Sequence, residues 1–287
     1  AHKDKGYLYV SNSTTNNVSM LKTNPVDGSL SQNSPFTINL PTGTLPRGMA
    51  VDPLGRFAFV AINTGSFVGA YSIAQDTGLL TIVNSVGPAG GMAGVTVEPR
   101  GLFAYATAFS SNQVYKITID QTTGALSAPA VEAAGTGPRG VTADPLGRFV
   151  YVANSSSGNI SGYTYNSGTG ILSPIGTTVS GTTPRVICID AGGNYLYSTN
   201  SGSTNVTVFR INADGTLNLL ASVPTDGSEP NGIVLDQTGK YLYVANRSSN
   251  NIRSYTVGSD GMLTPFAVTV TDAAPNGFAI VSVSPAN

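Results

Sequence analysis

The 287-residue sequence predicts an all-β fold of six four-stranded sheets, and three observations carry that prediction. One stretch recurs: Pro138-Arg-Gly-Val-Thr-Ala-Asp-Pro-Leu-Gly-Arg-Phe-Val-Tyr-Val-Ala-Asn154 has close relatives in Pro46-Arg-Gly-Met-Ala-Val-Asp-Pro-Leu-Gly-Arg-Phe-Ala-Phe-Val60 and Pro230-Asn-Gly-Ile-Val-Leu-Asp-Gln-Thr-Gly-Lys-Tyr-Leu-Tyr-Val244. Its second apolar run carries an aromatic ring at Tyr9, Phe59, Tyr105, Tyr151, Tyr197 and Tyr243, in steps of 50 and then 46 four times over. Charged residues make up only 10%, against ~25% in an ordinary soluble domain. Gly, Ser, Thr and Asn supply the polarity instead, as many short strands with tight turns require. A period of ~40–50 residues holding four strands marks a β-propeller blade.

Each repeat divides into strands A to D, and the fourth shows them best. Strand A is Gly140–Asp144, B is Phe149–Asn154, C is Ile160–Tyr165 and D is Ile171–Val179. Asp144-Pro-Leu-Gly147 turns A into B, with Pro and Gly in the places a tight turn favours. Asn166-Ser-Gly-Thr-Gly170 turns C into D, and its counterparts are Asp27-Gly28, Asp76-Thr-Gly78, Asp214-Gly215 and Asp260-Gly261. The first residues omit A: Gly6–Asn12 reads as B, Asn17–Lys22 as C and Leu30–Leu40 as D. Gly277–Val283 reads as an A strand with nothing after it. Residues 1–287 therefore form one propeller domain of six blades, a ring closed by the C-terminal strand joining the N-terminal blade. Closure of that kind removes an open sheet edge.

Strands such as Val141, Ala143 and Ile187, Ile189 are apolar towards both faces, as stacked blades demand. Gly48, Gly94, Gly140, Gly232 and Gly277 open their A strands, where backbones approach closely. The one cysteine, Cys188, shares its slot with Ala50, Thr96, Thr142 and Val234, and reads as a small core residue. It has no partner for a disulfide within the chain.

The repeat Pro-Arg-Gly-x-x-x-Asp-Pro-x-Gly-Arg-x-x-Tyr-Val-Ala-Asn resembles the YVTN-type β-propeller repeat and the wider lactonase-like propeller family. Phe149-Val-Tyr-Val-Ala-Asn154 and Tyr241-Leu-Tyr-Val-Ala-Asn246 match it best, Leu102-Phe-Ala-Tyr-Ala-Thr107 more loosely. The resemblance spans the chain. It implies a propeller, and relatives among 6-phosphogluconolactonase-like enzymes, muconate-lactonising enzymes and surface-layer proteins. Lactonase-like members usually have seven blades, whereas six are counted here.

Charges fall into slots. Asp52, Glu98, Asp144, Asp190 and Asp236 stand at A–B turns; Asp27, Asp76, Asp120, Asp214 and Asp260 stand at or beside C–D turns. Asp accepts local backbone N–H bonds in such turns, so these ten read as structural. Arg56, Arg100, Arg148 and Lys240 end the A–B turns and are expected to face solvent. On the opposite face, built from D–A and B–C loops, the residue before the A-strand glycine reads Arg47, Ala93, Arg139, Arg185, Asn231 and Asn276. Asp226, Glu229 and Asp272 stand in two adjacent D–A loops. These arginines, carboxylates and amides form the candidate binding site at the axial mouth, an analogy from the fold.

The only histidine, His2, lies in the N-terminal arm, so a Ser-His-Asp triad has no base. Carboxylate–arginine chemistry remains open, with Glu229 or Asp226 as base and Arg139 or Arg185 steadying an oxyanion. A calcium site would draw oxygens from Asn231, Asn276, Glu229 and Asp272, without an acidic cluster to support it. The B–C loops Ser11–Asn17, Asn154–Asn159, Asn200–Asn205 and Asn246–Asn251 are polar connectors suited to a protein or glycan partner. They carry Asn-x-Ser/Thr sites at Asn12, Asn17, Asn154, Asn159, Asn205 and Asn246.

A net charge of −1 gives no basic field for nucleic acid. No apolar run approaches the roughly 18 residues of a membrane span. The start at Ala1 and the scarcity of charge lead us to expect an exported protein, extracellular, at the cell surface or periplasmic. Lacking a clear acid/base pair, the sequence favours a non-catalytic binding or scaffold module, with self-association among its modes and no cofactor. A lactonase-type hydrolase at the D–A mouth is the alternative.

Overall fold

The computed structural model describes residues 6–24, 29–41, 43–87, 90–236, 238–271 and 275. It is an all-β, six-bladed propeller of antiparallel blades, and none of the described residues is helical. Two units make up the chain, residues 1–132 with 281–287 and residues 133–280. In the first, β1 (Gly6–Asn12), β2 (Asn17–Thr23) and β3 (Leu30–Asn39) form one sheet. β4 (Pro46–Val51), β5 (Phe57–Ile62), β6 (Phe67–Ile73) and β7 (Leu80–Val86) form the next. β8 (Met92–Val97), β9 (Phe103–Ala108), β10 (Gln113–Thr118) and β11 (Ala130–Ala133) form the third.

The second unit repeats the pattern three times. β12 (Pro138–Ala143), β13 (Phe149–Asn154), β14 (Asn159–Tyr165) and β15 (Leu172–Val179) make the fourth blade. β16 (Pro184–Ile189), β17 (Tyr195–Asn200), β18 (Asn205–Ile211) and β19 (Leu217–Pro224) make the fifth. β20 (Pro230–Leu235), β21 (Tyr241–Asn246), β22 (Asn251–Val257) and β23 (Leu263–Val270) make the sixth. In every blade, sequence neighbours pair as the A-B-C-D order predicts. The expected closing strand over 277–283 lies outside the described residues, as do His2, Asp27, Asp272 and Asn276.

Two boundaries differ from expectation. The A strands begin two residues before their glycines, because Pro138 already faces Asn154 in the ladder. The third blade has a short D strand, Ala130–Ala133, with only an Ile119–Leu126 bridge before it. Asn84 of β7 compensates: its side chain donates to the Leu126 carbonyl at 2.8 Å and accepts from the Leu126 N–H at 2.9 Å.

B strands are the most buried. Every residue of β5, β9 and β13 is buried, on both faces. Alternate side chains serve different cores: Leu196 packs with Phe149, Tyr151 and Ile187, whereas Tyr197 packs with Ile233, Leu242 and Val244. The tyrosine hydroxyl of the repeat also reaches the next blade. Tyr9, Tyr151 and Tyr197 donate to the carbonyls of Gly78, Gly215 and Gly261 at 2.7, 2.8 and 3.0 Å. These glycines sit in C–D turns at positive φ, a conformation open to Gly at little steric cost. Burial pushes the Tyr151 and Tyr197 hydroxyls and the Cys188 thiol above their ordinary values, so they stay protonated.

The A–B turn carboxylates are structural. Asp144, fully buried, accepts from the Arg148 backbone N–H at 3.1 Å and from Arg148 Nε at 2.7 Å. Arg148 then donates to the Gly193 carbonyl of the next blade at 2.6 Å. Arg56 does the same, pairing with Asp52 and reaching the Gln121 carbonyl at 2.9 Å. The expectation that these arginines simply face solvent is thus corrected: they fold back over Phe57 and Phe149 and link neighbouring blades.

At the other end of each blade, the last asparagine of the B strand clamps the B–C hairpin. Asn12, Asn154, Asn200 and Asn246 donate from Nδ2 to the Oδ1 of Asn17, Asn159, Asn205 and Asn251 at 2.7–2.8 Å. In three of them Nδ2 also reaches Ser19, Ser161 or Thr207. The six Asn-x-Ser/Thr sites are members of these clamps, and Asn154 and Asn246 are fully buried. In the folded protein those side chains serve the hairpin. Asn200 additionally accepts from Ser180 Oγ at 2.9 Å and the Gly181 N–H at 3.1 Å. Removing it orphans several buried groups, each worth ~1–3 kcal/mol when unpaired. Asn200→Ala is expected to cost about 3 kcal/mol in denaturant unfolding, and a loss below about 1 kcal/mol would refute the clamp.

Candidate functional site

The candidate residues of strand A sit on a bulge. Pro138 pairs with Asn154 and Val141 with Val152, so β12 holds one residue more than β13 between those pairs. The same irregularity lies between Pro46 and Met49, Met92 and Val95, Pro184 and Ile187, and Pro230 and Gly232. Arg47, Ala93, Arg139, Arg185 and Asn231 are the first residues it contains, followed in the first four by Gly48, Gly94, Gly140 and Val186. A bulge frees a residue from the ladder and re-aims its side chain. In the second unit, neighbouring bulges abut. A Cβ built on Gly140 would stand 2.6 Å from the Arg185 carbonyl oxygen, which is why glycine follows Arg139.

Arg139 and Arg185 are held alike. Arg139 Nε donates to Ser155 Oγ at 3.1 Å, and Arg185 Nε to Ser201 Oγ at 3.0 Å. Both serines follow the clamp asparagine of their own blade. In the sixth blade the arrangement is exchanged: Asn231 occupies the bulge, and Arg247 takes the serine's place. Thr199 Oγ1 donates to the Asn231 carbonyl at 3.4 Å. Arg47 belongs to the other unit, where it is exposed and its carbonyl accepts from Ser11 Oγ at 2.5 Å.

Glu229 is the junction. Its Oε1 lies 3.5 Å from Arg185 Nη2 and 3.3 Å from Arg247 Nη1, and its Oε2 accepts from Ser248 Oγ at 2.6 Å. Its carbonyl accepts the Arg247 N–H at 3.0 Å. The backbone at Glu229 is left-handed, φ 56°, as it is at Leu45, Gly91, Gly137 and Thr183, which also precede an A strand. Asp226, also left-handed and mostly exposed, turns away to Arg253 Nη2 at 2.8 Å. Thus Arg185 and Glu229 come together, Asp226 has its own partner in Arg253, and Arg247 and Ser248, which the sequence did not single out, contact Glu229.

The Ser248 hydrogen bond, followed by the charges of Arg247 and Arg185, holds the Glu229 carboxyl below its ordinary value against the opposing effect of burial. A depressed folded value stabilises the protein above the unfolded value, 4.5, and that contribution is lost as pH falls through the folded one. The melting-temperature difference between the native protein and Glu229→Gln is therefore expected at pH about 7 and gone by pH about 2. Calorimetry at both values checks this, and a constant difference would contradict it.

Among the described residues, no group of three or more His, Cys, Asp or Glu is placed to hold a metal ion. A carboxylate flanked by two guanidiniums does not fit the calcium site expected at Glu229 and Asn231. None of the described residues forms a helix long and apolar enough to cross a membrane.

Comparison with known proteins identifies the family and the fold. The family model described as lactonase, 7-bladed beta-propeller, matches residues 1–91, 85–189 and 186–280. No curated protein sequence matches the chain. Among solved structures, a protein from Lactobacillus plantarum is 24% identical with a TM-score of 0.82, over 96% of this chain and 85% of that one. The periplasmic gluconolactonase PpgL of Pseudomonas aeruginosa is 20% identical, TM-score 0.77, over 93% and 81%. A protein assigned as a 6-phosphogluconolactonase from Bacteroides uniformis is 19% identical, TM-score 0.64, over 94% and 98%. The match to a lactonase family and the names of these neighbours overturn the expectation of a non-catalytic scaffold and favour the hydrolytic alternative.

Proposed function

Because the chain belongs to the lactonase family of seven-bladed β-propellers, with six blades of its own, we propose that it hydrolyses a lactone at the bulge end of its second unit. The observation that carries the reading is the pair of abutting bulges bearing Arg139 and Arg185, beside Glu229 and Arg247. Water adds to the ring carbonyl carbon, the ring C–O bond breaks, and the proton lost by water ends on the departing ring oxygen. The product is the open hydroxy acid. Guanidinium donors steady the carbonyl oxygen as it becomes an oxyanion, usually the largest single contribution to such catalysis.

Glu229 is a poor general base here, since Ser248 and two arginines favour its ionised form and so weaken its hold on a proton. The chemistry rests on electrostatic stabilisation of the adduct. The relatives named gluconolactonase and 6-phosphogluconolactonase supply the first substrates to try. We place the activity outside the cytoplasm, a reading supported by the low charge of the chain and by the periplasmic description of PpgL.

The test is acid release from glucono-δ-lactone and 6-phosphoglucono-δ-lactone, measured over the spontaneous rate. A saturable rate is expected, and Arg139→Ala/Arg185→Ala should return it to the blank. No rate above the blank with any member of a γ- and δ-lactone panel would overturn the proposal.

A further inference from the structure

We infer that Arg253 is a positioning residue: through Asp226 it sets the D–A loop of the sixth blade in the conformation that carries Glu229 to Arg185 and Arg247. Its effect on turnover rests on the hydrolase reading of the site. Its effect on the place of Glu229 does not.

Arg253 stands where the repeat puts a hydroxyl. Ser19, Ser161 and Thr207 hold the same slot on their C strands, and each accepts from the clamp asparagine of its blade. In the sixth blade an arginine takes that place on β22, between Val244 and Val268 in the ladder. Its side chain is only 14% exposed and lies over the Tyr255 ring, and its Nε is buried without a protein partner. A serine would leave no such orphan, and a buried donor without a partner is costly. Departures of this kind from the local pattern are characteristic of functional positions.

The loop changes with it. In the fifth blade, Ser180 Oγ and the Gly181 N–H close on Asn200 Oδ1. Asp226 holds the slot of Ser180, and of Ala134 in the fourth blade, and it alone of the three is left-handed, φ 48°. Aspartate tolerates that conformation better than most residues. The reversal turns its carboxylate to Arg253 Nη2 at 2.8 Å, the distance of a full charge-assisted bond. Asn246, with no hydroxyl in the Arg253 slot, donates to the Thr225 carbonyl at 3.1 Å. The tyrosine tie shifts as well. Tyr163 donates to the Ala133 carbonyl, whereas Tyr255 takes that of Pro224, one residue earlier in the repeat.

Glu229 follows Asp226 by three residues, and between them the Ser228 N–H donates to Ser249 Oγ at 2.7 Å. The loop is thus fixed to strand β22 at Asp226 and to the B–C loop at Ser228 and Glu229. Anchorage to the strand is what Arg253 adds. The Glu229 carboxylate stands 3.3 and 3.5 Å from its two guanidiniums, so a small displacement of the loop breaks both contacts.

Titration of the Glu229 carboxyl by nuclear magnetic resonance, in the full chain, tests this without turnover. Asp226→Ser and Arg253→Ser bring back residues that the repeat carries in these slots at Ser180 and Ser161, so both variants are expected to fold. By charge alone, removing Asp226 would lower the Glu229 carboxyl further, and removing Arg253 would raise it. If the pair positions Glu229, both variants move it up towards its ordinary value, 4.5, as the contacts with Ser248, Arg247 and Arg185 are lost. The sign in Asp226→Ser is therefore diagnostic. With glucono-δ-lactone, each variant is expected to lower kcat about tenfold, and the double variant no further, because both residues act through one contact. Arg253→Lys, which keeps a cation for Asp226, should stay within about threefold of native.

A Glu229 carboxyl that falls or does not move in Asp226→Ser would overturn the inference. So would a kcat within about twofold of native in both single variants of a protein that turns over the lactone. Upward movement in both variants of a protein that hydrolyses no lactone would overturn the hydrolase reading and leave the positioning of Glu229 standing.

Discussion

Arg185→Ala is expected to lower kcat for lactone hydrolysis about a hundredfold, the loss seen when one oxyanion donor is removed from a preorganised site. Arg185 is the residue on which both halves of the site depend. Its Nε is fixed by Ser201, its Nη2 meets Glu229, and its carbonyl packs against Gly140 of the neighbouring bulge. Alanine keeps the backbone and therefore the bulge, so the melting temperature should hardly move. Arg185→Lys separates charge from geometry. An ammonium keeps the positive charge but lacks the fork that engages Ser201 and Glu229 together. It is expected to recover less than about a tenth of the native rate. A kcat within about threefold of native in Arg185→Ala would remove this arginine from the chemistry.

Asp144→Ala is expected to have the largest effect on stability. Its carboxylate is wholly buried, accepts from the Arg148 backbone and side chain, and holds the guanidinium that reaches Gly193 in the next blade. Breaking a buried pair by deleting one partner costs ~3–5 kcal/mol. Arg148 is 37% exposed and can recover some hydration, which sets the expectation at the lower end, about 3 kcal/mol. For a chain of this size that is a fall of roughly 6–12 °C in Tm. The turn lies at the opposite end of the blade from Arg139, so kcat measured well below Tm should be unchanged. A Tm shift under about 2 °C would show that the carboxylate is dispensable.

What could be read from the chain follows from what each residue must satisfy. Strand B was legible end to end: Phe149–Asn154 is observed as expected, because burial on both faces demands an unbroken apolar run and the clamp asparagine ends it. Strand A was legible only from its glycine onward. Pro138 pairs two residues before Gly140 and Arg139 lies in the bulge between them, and no residue type announces a bulge as Asp-Pro-Leu-Gly announces a turn.

Part of the candidate site was within reach. Arg185 and Glu229 stand out because charges are scarce, yet their contact depends on the left-handed turn before Pro230. Arg247 looked like an exposed loop residue. The clue was its slot, which reads Ser155 and Ser201 in the two preceding blades and changes where the bulge arginine becomes Asn231. The preference for a scaffold came from searching for a histidine or a carboxylate base. A site that works through guanidinium donors leaves no such mark.

The bulge in strand A has a consequence for how such a protein can change. Residues on either side of it are bound by the ladder and by the cores between blades, so they tolerate little variation. The first residue inside it is outside the ladder. Its slot holds Arg47, Ala93, Arg139, Arg185 and Asn231, a range of size and charge that no buried position of the repeat displays. Each of the five described A strands therefore offers one address where a side chain can be rewritten without disturbing the architecture. Near-identical modules can acquire an asymmetric chemistry in this way, one substitution at a time.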